Sequence, residues 1–420
     1  MLTKFIGSTS SRGTTLSKIG LYTSPHLRFV RERIQINGEP LSEEKFAHYF
    51  YQTWDRLEAA ARAAGEDPTA TGAKPVYFRF LTLMAFHTYL QEGVDTAIIE
   101  CGIGGAYDST NVLRNPTVTG ITSLGIDHVG VLGATLPEIA WHKAGIMKPR
   151  AKCFTVSTQA PEAQEVLVKV AQEVPCDLTF VDIEPSIASE QIRLGLAAEF
   201  QKMNASLALA ITQDWLERAG YGTVNQSDPR VQYGLRDVKW PGRCETRMEN
   251  TVTWYIDGGH TLESIKLAGQ WYATTRNANQ QKQTENFLIF NQQTRDANSL
   301  ASALYEVLAT TLQNSHPFSH VVFCTNTTFK EAGFKPDLMS SNTNAADVET
   351  LKVQKDLAST WKSIDHNANV NVVRTIEEAV ELVRHAAMKS GRLTALVTGS
   401  LHLVGGFLEV VESETSSGAK

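Results

Sequence analysis

Residues 98–105, Ile-Ile-Glu-Cys-Gly-Ile-Gly-Gly, decide the fold, because an apolar run there ends in a carboxylate followed by glycines. Further along, residues 123–128, Ser-Leu-Gly-Ile-Asp-His, form a second such run, and this one ends in an imidazole. Each run is typical of a buried strand whose carboxyl end faces a ligand crevice. If the two strand ends are adjacent, Glu100 and His128 can hold a divalent cation between them. The pattern therefore indicates a nucleotide-dependent enzyme.

Strand and helix signals alternate around these two runs. The predicted buried strands are 94–100, 117–124 and 152–156, and the predicted helices are 78–91, 137–147, 163–173 and 200–219. This alternation is typical of βαβ units and predicts an α/β fold with a mostly parallel sheet.

A second α/β set follows Trp-Pro-Gly-Arg at 240–243. Its predicted strands are 251–256, 287–290, 320–324, 370–373 and 393–398, and its clearest helix is 376–388. A chain of 420 residues is too long for one ordinary core. Because 221–230 is polar and rich in turn residues, we predict one domain over 1–230 and another over 231–420. The Asn/Ser-rich stretch 334–347 is predicted to be an exposed loop.

Composition excludes several classes of protein. A formal net charge of -6 leaves no basic footprint for nucleic acid. No apolar run is long enough to span a bilayer. The five cysteines are scattered, which favours a reducing compartment, so we predict a cytoplasmic protein.

Residues 1–20 are rich in Ser and Thr and contain three basic residues but no acid. This resembles an organellar transit peptide and leaves a mitochondrial form open.

An ordered set of short motifs carries a family resemblance. The motifs include Thr-Ser-Pro-His-Leu at 23–27, Arg-Glu-Arg-Ile at 31–34, Tyr-Phe-Arg-Phe-Leu-Thr at 77–82, Lys-Ala-Gly-Ile at 143–146, Trp-Pro-Gly-Arg at 240–243, Asp-Gly-Gly-His at 257–260 and Thr-Gly-Ser-Leu-His at 398–402. Together with the two runs above, they resemble folylpolyglutamate synthase of the eukaryotic type, a member of the Mur ligase superfamily. The resemblance extends from about Gly20 to Gly406, and the ordered set is far more specific than any single motif.

The resemblance implies a Mur ligase-like fold, with a nucleotide-binding domain on a mostly parallel sheet and a smaller C-terminal α/β domain. It implies an amide ligase that uses ATP to activate the γ-carboxylate of a tetrahydrofolate polyglutamate as an acyl phosphate, which L-glutamate then attacks. Such chemistry needs charge neutralisation and a crevice that excludes water. The implied cofactors are Mg²⁺ and ATP as substrate, with a monovalent cation as a further candidate. The implied state is a monomer.

Ser24, Glu100 and His128 match the family's magnesium ligands. Mg²⁺ prefers oxygen ligands, which suits the first two better than the imidazole. From the residues alone, Glu100 is equally a solvated or helix-capping carboxylate, His128 a buried polar contact and Ser24 a turn residue before proline.

Further positions match the family's catalytic and nucleotide-binding residues. Lys143 matches a lysine that this superfamily often carbamylates, and His260 matches a residue near the phosphates, so both are predicted to be catalytic. Arg243 is predicted to bind ATP phosphates, for which its bidentate fork is well suited. Asp257 is predicted to contact the ribose. Alternatively, Lys143 is a surface lysine and Arg243 pairs with an acid.

The remaining predicted contacts are with adenine, folate and glutamate. Gln201 and Asn204 occupy the adenine-side positions, although Phe200 stands where the family usually has histidine. Aromatic rings stack on a pterin and arginines pair with carboxylates, which suits the positions that match the folate site. The predicted substrate residues are Arg31, Arg33, Tyr77, Phe78, Ser400 and His402.

One family element has no counterpart in the sequence. The family begins with a strand and a Gly-Thr-Lys-Gly-Lys-Gly loop that wraps the ATP phosphates through backbone amides. Here Gly7-Ser8-Thr9 resembles only the end of that loop, and no lysine stands at the phosphate position. We expect either an incomplete gene model of an active enzyme or a genuinely shortened protein. The second case leaves a catalytically impaired folate-binding or protein-binding relative as the alternative function. A dihydrofolate synthase is a weaker third hypothesis.

Overall fold

The computed structural model describes residues 1–278, 285–293, 295–331 and 345–417. The chain forms two compact units. Unit 1 comprises Met1–His26, Val30–Gly195 and Phe200–Val238, and unit 2 comprises Leu27–Phe29, Leu196–Glu199 and Lys239–Lys420. The main division therefore falls between Val238 and Lys239, beyond the domain boundary predicted after residue 230. Within the described ranges, no helix is both long enough and apolar enough to cross a membrane.

Unit 1 contains seven strands and eight helices within its described residues. The strands are β1 Ile19–Tyr22, β2 Ile34–Ile36, β3 Glu39–Pro40, β4 Thr96–Ile99, β5 Val118–Ile121, β6 Lys152–Val156 and β7 Asp177–Val181. The helices are α1 Glu43–Ala63, α2 Tyr77–Glu92, α3 Val129–Leu132, α4 Leu136–Ala144, α5 Pro161–Glu173, α6 Pro185–Ala188, α7 Glu199–Arg218 (whose first residue belongs to unit 2) and α8 Pro229–Arg236. Short 3₁₀ helices are formed by Leu2–Phe5, Val30–Arg33 and Ser109–Val112.

The strands of unit 1 form two sheets instead of the single sheet expected. One has the order β3-β2-β1-β4 and the other β5-β6-β7. Strand β1 pairs in parallel with β4, and β5, β6 and β7 pair in parallel with one another. Among the described residues, β4 pairs only with β1 and β5 only with β6, so each is an edge strand. The prediction that the run before Glu100 is buried was wrong, since Ile98 is 47% exposed.

Unit 2 contains strands β8 Glu245–Glu249, β9 Val252–Ile256, β10 Asn286–Phe290, β11 His320–Phe323, β12 Asn369–Val372 and β13 Leu393–Thr398. Its helices are α9 Leu262–Ala278, α10 Ala297–Leu312, α11 Ala345–Thr350, α12 Lys352–Ile364, α13 Ile376–Ser390 and α14 Leu401–Ser417. The sheet order is β12-β11-β10-β13-β9-β8, and only β8 is antiparallel to its neighbour.

The core of unit 2 explains why its sequence signals are the clearest. Every residue of β9, β10 and β13 is buried, as expected for parallel strands covered on both faces. Trp254 of β9 and Phe407 of α14 pack edge to face with ring centroids 4.9 Å apart. Burial of two such aromatic side chains is a large apolar contribution to folding.

Most predicted elements are confirmed to within a few residues. Strands β6 and β13 have the predicted bounds, and helix 376–388 forms most of α13. Of the predicted loop over 334–347, residues 334–344 lie outside the described residues, and 345–347 begin α11. Helix α8, close to the predicted linker, packs through Val231 and Leu235 on Leu2 and Phe5, which is why it belongs to unit 1.

Candidate active site

The carboxyl ends of β1 and β4 bring Ser24 and Glu100 together. These strands are parallel neighbours with Tyr22 opposite Ile99, so the residues that follow them meet at one edge of the sheet. The Glu100 carboxylate accepts hydrogen bonds from the Thr23 hydroxyl and, at 3.0 Å, from the Ser24 backbone N–H. Glu100 itself is exposed, whereas Thr23 is buried. An accessible carboxylate is thus held between hydroxyl-bearing residues.

Asp108 organises the glycine-rich turn after Glu100. One of its carboxylate oxygens accepts from the backbone N–H groups of Gly102 and Ile103, both at 3.0 Å. The other accepts from the Thr110 N–H at 2.9 Å and the Thr110 hydroxyl at 2.6 Å. Asp108 and Thr23 were not among the site residues predicted from the sequence. The Asp-x-Thr spacing at 108–110 was a readable signal for the first, since such aspartates bond backbone N–H groups two residues on.

Lys143 lies near this turn at the end of α4. The Ala106 N–H donates to the His142 carbonyl at 2.8 Å, which fixes the helix end against the turn. Burial raises the pKa of the Cys101 thiol, and the charge of Lys143 opposes that increase. Lys143 is therefore within electrostatic reach of the residue that follows Glu100.

His128 is in the left-handed backbone conformation, with φ 52°. Its side chain is 42% exposed, and Nε2 lies 3.8 Å from a carboxylate oxygen of Asp127. Among the described residues, no three His, Cys, Asp or Glu side chains form a group suited to a metal. That search does not test a pair assisted by a hydroxyl, so the prediction that His128 joins Glu100 and Ser24 stays a prediction.

The predicted folate residues form a cationic and aromatic group. Arg33 is buried, donates from Nε to His26 Nδ1 at 2.9 Å and lies 5.6 Å from the centre of the Tyr77 ring. Arg31 donates to the Leu41 carbonyl at 3.3 Å. Tyr77 is 57% exposed and accessible for stacking. Phe78 packs inward, because its ring covers Gly102 so closely that an added Cβ there would lie 2.4 Å from it.

Gln201 and Asn204 lie one turn apart on α7. The Asn204 side-chain amide donates to the Gln201 carbonyl oxygen at 3.0 Å, and both residues are half-buried. The pair presents amide donors and acceptors of the kind that read an adenine edge. Their predicted role stays a prediction.

In unit 2, Asp257 follows β9 and is only 6% exposed. Its two carboxylate oxygens accept from the backbone N–H groups of Cys244 at 2.9 Å and Gly259 at 2.8 Å. Burial raises the pKa of Asp257, although these donors and the charge of Arg243 oppose the increase. Arg243 extends over Gly258, where an added Cβ would lie 2.7 Å from its Nη1. His260 Nδ1 lies 3.1 Å from the Gly258 carbonyl.

Ser400 and His402 follow β13, the parallel neighbour of β9, so they share a sheet edge with Asp257. Ser400 is buried, and its hydroxyl accepts from the His402 N–H at 3.2 Å at the start of α14. The pKa of His402 lies below its usual value because neighbouring protein displaces water from its charged form. Leu401 packs on Gly258 and joins this turn to the Asp257 loop.

The residues present fit a magnesium ion in the chemistry of their donors. The Glu100 carboxylate and the hydroxyls of Thr23 and Ser24 are hard oxygen donors, which Mg²⁺ prefers. Glu100 is also exposed, so an ion bound there can keep several of its waters, as Mg²⁺ usually does.

Known proteins resemble this chain along most of its length. Residues 242–410 match the family described as dihydrofolate synthetase, C-terminal domain. Folylpolyglutamate synthase of Neurospora crassa is 45% identical over 406 residues, which cover 94% of this chain and 75% of that protein. The enzyme of Saccharomyces cerevisiae strain AWRI796 is also 45% identical, over 94% of this chain and 72% of its own length.

Solved structures of related proteins have a fold similar to that of this chain. Mycobacterium tuberculosis folylpolyglutamate synthase complexed with ADP superimposes with a TM-score of 0.71 at 25% identity, over 96% of this chain and 85% of that one. Escherichia coli FolC in complex with ADP gives a TM-score of 0.68 at 21% identity, over 95% and 84%, and shows the likeness of fold alone.

The fold and the relatives show a two-domain, Mur ligase-like α/β ligase of the ATP-dependent, amide-forming class. Within that class, the identity and coverage of the fungal relatives show which family it is. The chain belongs to the folylpolyglutamate synthase family, whose members add glutamate to folates in an ATP-dependent reaction.

Proposed function

We propose that this chain joins L-glutamate to the γ-carboxylate of tetrahydrofolate and its polyglutamates, using ATP and magnesium. The observation that carries the proposal is the group formed by Thr23, Ser24 and Glu100 at the carboxyl ends of β1 and β4. An exposed carboxylate that accepts a hydrogen bond from the Thr23 hydroxyl lies at the carboxyl ends of two parallel strands, where α/β sheets bind ligands. The ADP bound in the mycobacterial relative supports nucleotide binding.

Unit 1 supplies the residues for phosphoryl transfer. Magnesium held by Glu100 and Ser24 would neutralise charge on the ATP phosphates. His128 is the third proposed ligand. Lys143 lies near the same turn. Its side chain, either cationic or carbamylated, would lie beside the reacting groups. Asp108 keeps the backbone of this turn in place through four hydrogen bonds.

Unit 1 also supplies the folate side of the site. Arg31 and Arg33 are suited to pair with carboxylates of the folate tail, because a guanidinium forms two parallel hydrogen bonds to such a group. The exposed ring of Tyr77 is suited to stack on the pterin. Phe78 does not offer its ring for stacking on the pterin, because that ring packs on Gly102.

Unit 2 supplies residues for phosphate and for the incoming amino acid. Arg243 would bind the transferred phosphoryl group, where its charge stabilises the transition state. Transfer of the γ-phosphoryl group of ATP to the folate γ-carboxylate yields an acyl phosphate and ADP. Attack by the glutamate amine then forms the amide and releases phosphate, and His260 would accept the amine proton. Ser400 and His402 would bind the glutamate.

We also propose that the chain acts as a cytoplasmic monomer, with a mitochondrial form as the alternative. The five cysteines are free thiols, which suits a reducing compartment.

Release of ADP that requires L-glutamate and tetrahydrofolate tests the function. Adding hydroxylamine in place of glutamate should give the folate hydroxamate, because hydroxylamine attacks acyl phosphates. Glu100→Gln should lower turnover by roughly a hundredfold or more, as expected when transition-state charge loses its stabilisation.

The matched control is Glu162→Gln, at an exposed position on α5 outside the site. It should leave turnover unchanged. Folate binding without ADP release or hydroxamate in the parent chain would contradict the proposed ligase and favour a binding protein.

A further inference from the structure

Gln159, in the turn after β6, has a buried side-chain amide that binds the backbone of another segment. The residue is 5% exposed. Its Oε1 accepts from the Leu124 N–H at 3.0 Å, and its Nε2 donates to the Thr122 carbonyl at 2.8 Å. Nε2 also donates to the Thr155 hydroxyl at 2.9 Å. The amide oxygen has a donor and the amide nitrogen has two acceptors, so the group is satisfied as a buried polar side chain must be.

These contacts reproduce one rung of a parallel sheet. In a parallel ladder, a peptide group of one strand donates to the carbonyl before a facing residue and accepts from the N–H after it. The Gln159 amide does this on the two sides of Ser123. The register of β5 with β6 ends at Ile121 opposite Thr155, and β6 itself ends at Val156. The Gln159 side chain therefore continues the pairing of β5 beyond the end of its neighbour.

The turn that carries Gln159 is itself fixed. Gln164 Nε2 donates to the Gln159 carbonyl at 2.8 Å and to the Ser157 carbonyl at 3.1 Å. The Thr155 hydroxyl, which is fully buried, donates to the Ile121 carbonyl at 2.9 Å. Because the conformational freedom of Gln159 is already restricted by these contacts, little more is lost when its amide holds a further segment.

His128 follows this held segment after residues 125–127, Gly-Ile-Asp. On its other side, His128 is the residue before α3, and its carbonyl accepts from the Leu132 N–H at 2.9 Å. Leu132 packs on Gly104, where an added Cβ would lie 2.7 Å from its Cδ2. His128 thus lies between two anchors, one formed by Gln159 and the other on the glycine-rich turn.

We propose that Gln159 is a positioning residue that holds the segment before His128, so that the imidazole can join Glu100 at the metal. The inference rests on the proposed function, since it takes His128 as the third ligand. The span 125–127 contains a glycine, so its conformation depends on how its two ends are held. Groups that orient a metal ligand from outside the coordination shell typically change metal affinity by about 10- to 100-fold.

Binding of Mn²⁺ tests this role without turnover. The dissociation constant is measured from the EPR signal of free Mn²⁺ for the parent, Gln159→Met, His128→Ala and the double variant. Methionine fills similar space but has no amide. Each single change should weaken binding by about tenfold. In the His128→Ala background, Gln159→Met should have no further effect, because residues that act through one group are not additive. A further tenfold loss there, or unchanged affinity in Gln159→Met alone, overturns the proposal.

Gln354→Met is the matched control for loss of a buried amide. Gln354 is fully buried in unit 2, and its Nε2 donates to Asn291 Oδ1 at 2.9 Å. This substitution should leave the affinity for Mn²⁺ unchanged. Equal weakening by Gln354→Met and Gln159→Met would show that Gln159 acts only through general stability, and the inference would be wrong.

The imidazole ligand also gives a spectroscopic signature. Electron spin-echo modulation from a coordinated nitrogen should appear in the Mn²⁺-bound parent and in Gln354→Met, but not in His128→Ala. Gln159→Met should lose this signal as well, at Mn²⁺ concentrations that fill the site. A signal that persists in Gln159→Met overturns the proposal. If the parent binds Mn²⁺ without the signal, the inference fails, whereas a ligase with Glu100 and Ser24 as metal ligands still stands.

Amide hydrogen exchange decides whether Gln159 holds the segment even if the parent binds no Mn²⁺, a result that would count against the proposed function alone. Gln159→Met should speed exchange of the Leu124 amide by about tenfold or more, because that N–H loses its acceptor. Exchange in β6 and β7 should stay slow and so report an intact fold. Unchanged exchange at Leu124 would show that Gln159 does not hold this segment.

Discussion

Cys176, just before β7, differs from the other cysteines in its acidity. A side-chain hydrogen bond with the buried Cys153 lowers the pKa of Cys176 below its ordinary value. Burial raises the pKa of Cys324 and of Cys244. Since the thiolate is the reactive form, Cys176 should be alkylated first by iodoacetamide in the native protein, with a half-maximal rate at a lower pH than for the other cysteines. Mass spectrometry of each cysteine peptide across pH measures this.

Two substitutions of Cys153 test the cause. Cys153→Ala removes the donor and should move the midpoint for Cys176 up, toward the ordinary value of 9.0. Cys153→Ser keeps a donor and should leave the midpoint low. A midpoint that stays the same in both variants would contradict the hydrogen-bond explanation.

Gly399 allows a close approach as well as a positive φ. Its φ is 108°, and an added Cβ would lie 2.7 Å from both the Asn291 carbonyl oxygen and the Phe290 ring. Gly391 has a φ of 88° with nothing within 4 Å of such an atom. Gly399→Ala should therefore lower the free energy of unfolding by more than Gly391→Ala, which carries only the backbone cost of roughly 1–3 kcal/mol. Urea unfolding of the two variants compares them, and equal losses would show that the turn relaxes.

Some residue-level features of the site could be predicted and others could not. Ser24 and Glu100 were predicted to lie together, and they do, because both follow parallel neighbouring strands. The left-handed conformation of Cys244 has no signal in the sequence, since cysteine is not a residue type that favours it. That conformation depends on Asp257, which is thirteen residues away in the chain.

At the scale of elements, Glu92 joins helices α1 and α2. Its Oε1 accepts from Lys45 Nζ and from the Tyr49 hydroxyl, both at 2.8 Å, while its side chain is 12% exposed. These donors hold the pKa of Glu92 below its ordinary value of 4.5. The same contact, after burial, contributes to raising the pKa of Tyr49 to about 12.

Glu92→Gln should destabilise the protein in a pH-dependent way. A carboxylate with a lowered pKa stabilises the fold above its unfolded pKa, and this contribution disappears as pH falls through the folded pKa. At pH 7 the free energy of unfolding of the variant should be roughly 1–2 kcal/mol lower than that of the parent. Near pH 3 the two proteins should be almost equally stable. Urea unfolding at both values measures the difference. The control Glu66→Gln, at an exposed position after α1, should lose little at either pH.

At this scale, buried elements were predicted from the sequence more closely than exposed ones. Strands β9, β10 and β13 of unit 2 have nearly continuous apolar runs because both faces are covered, so they were predicted closely. Strand β8, which is half-exposed, was not predicted. Helix α1 was missed, and only three of its residues are buried. The exposure of β4 was not foreseen either, since an apolar run predicts a strand but does not show whether a neighbour covers it.

At the scale of the whole molecule, the chain interleaves its two units. Leu27–Phe29 and Leu196–Glu199 belong to unit 2, although unit 1 precedes and follows each of them in sequence. Leu27 packs on the core of unit 2, and its carbonyl oxygen lies 2.1 Å from where a Cβ on Gly405 would be. Composition cannot reveal this interleaving. A turn-rich sequence marks a linker, but it does not mark a short segment that belongs to a different unit from its neighbours in the chain.

Arg28 ties the first of these segments to α14. Its guanidinium contacts Glu412 and lies 3.7 Å from Glu409, whose side chain is 11% exposed. Glu412 also accepts from Arg247 Nη1 at 2.8 Å. Removing one partner from a half-buried pair leaves a carboxylate with less compensation for its lost water. Arg28→Met should therefore reduce stability by roughly 1–2 kcal/mol and speed amide exchange in α14.

The interleaving also predicts that a contiguous piece of unit 2 is incomplete. A fragment of residues 239–420 lacks Leu27 and Arg28, so the surface around Gly405 and Glu412 loses its natural cover. We expect the fragment to unfold at a lower urea concentration than Arg28→Met in the full chain, and a peptide of residues 22–33 to raise that midpoint by mass action. The same peptide carrying Leu27→Ala and Arg28→Met should have no effect. Native contacts are specific to the side chains that make them. If both peptides raise the urea midpoint equally, or if neither raises it, the segment around Leu27 and Arg28 does not complete the core of unit 2.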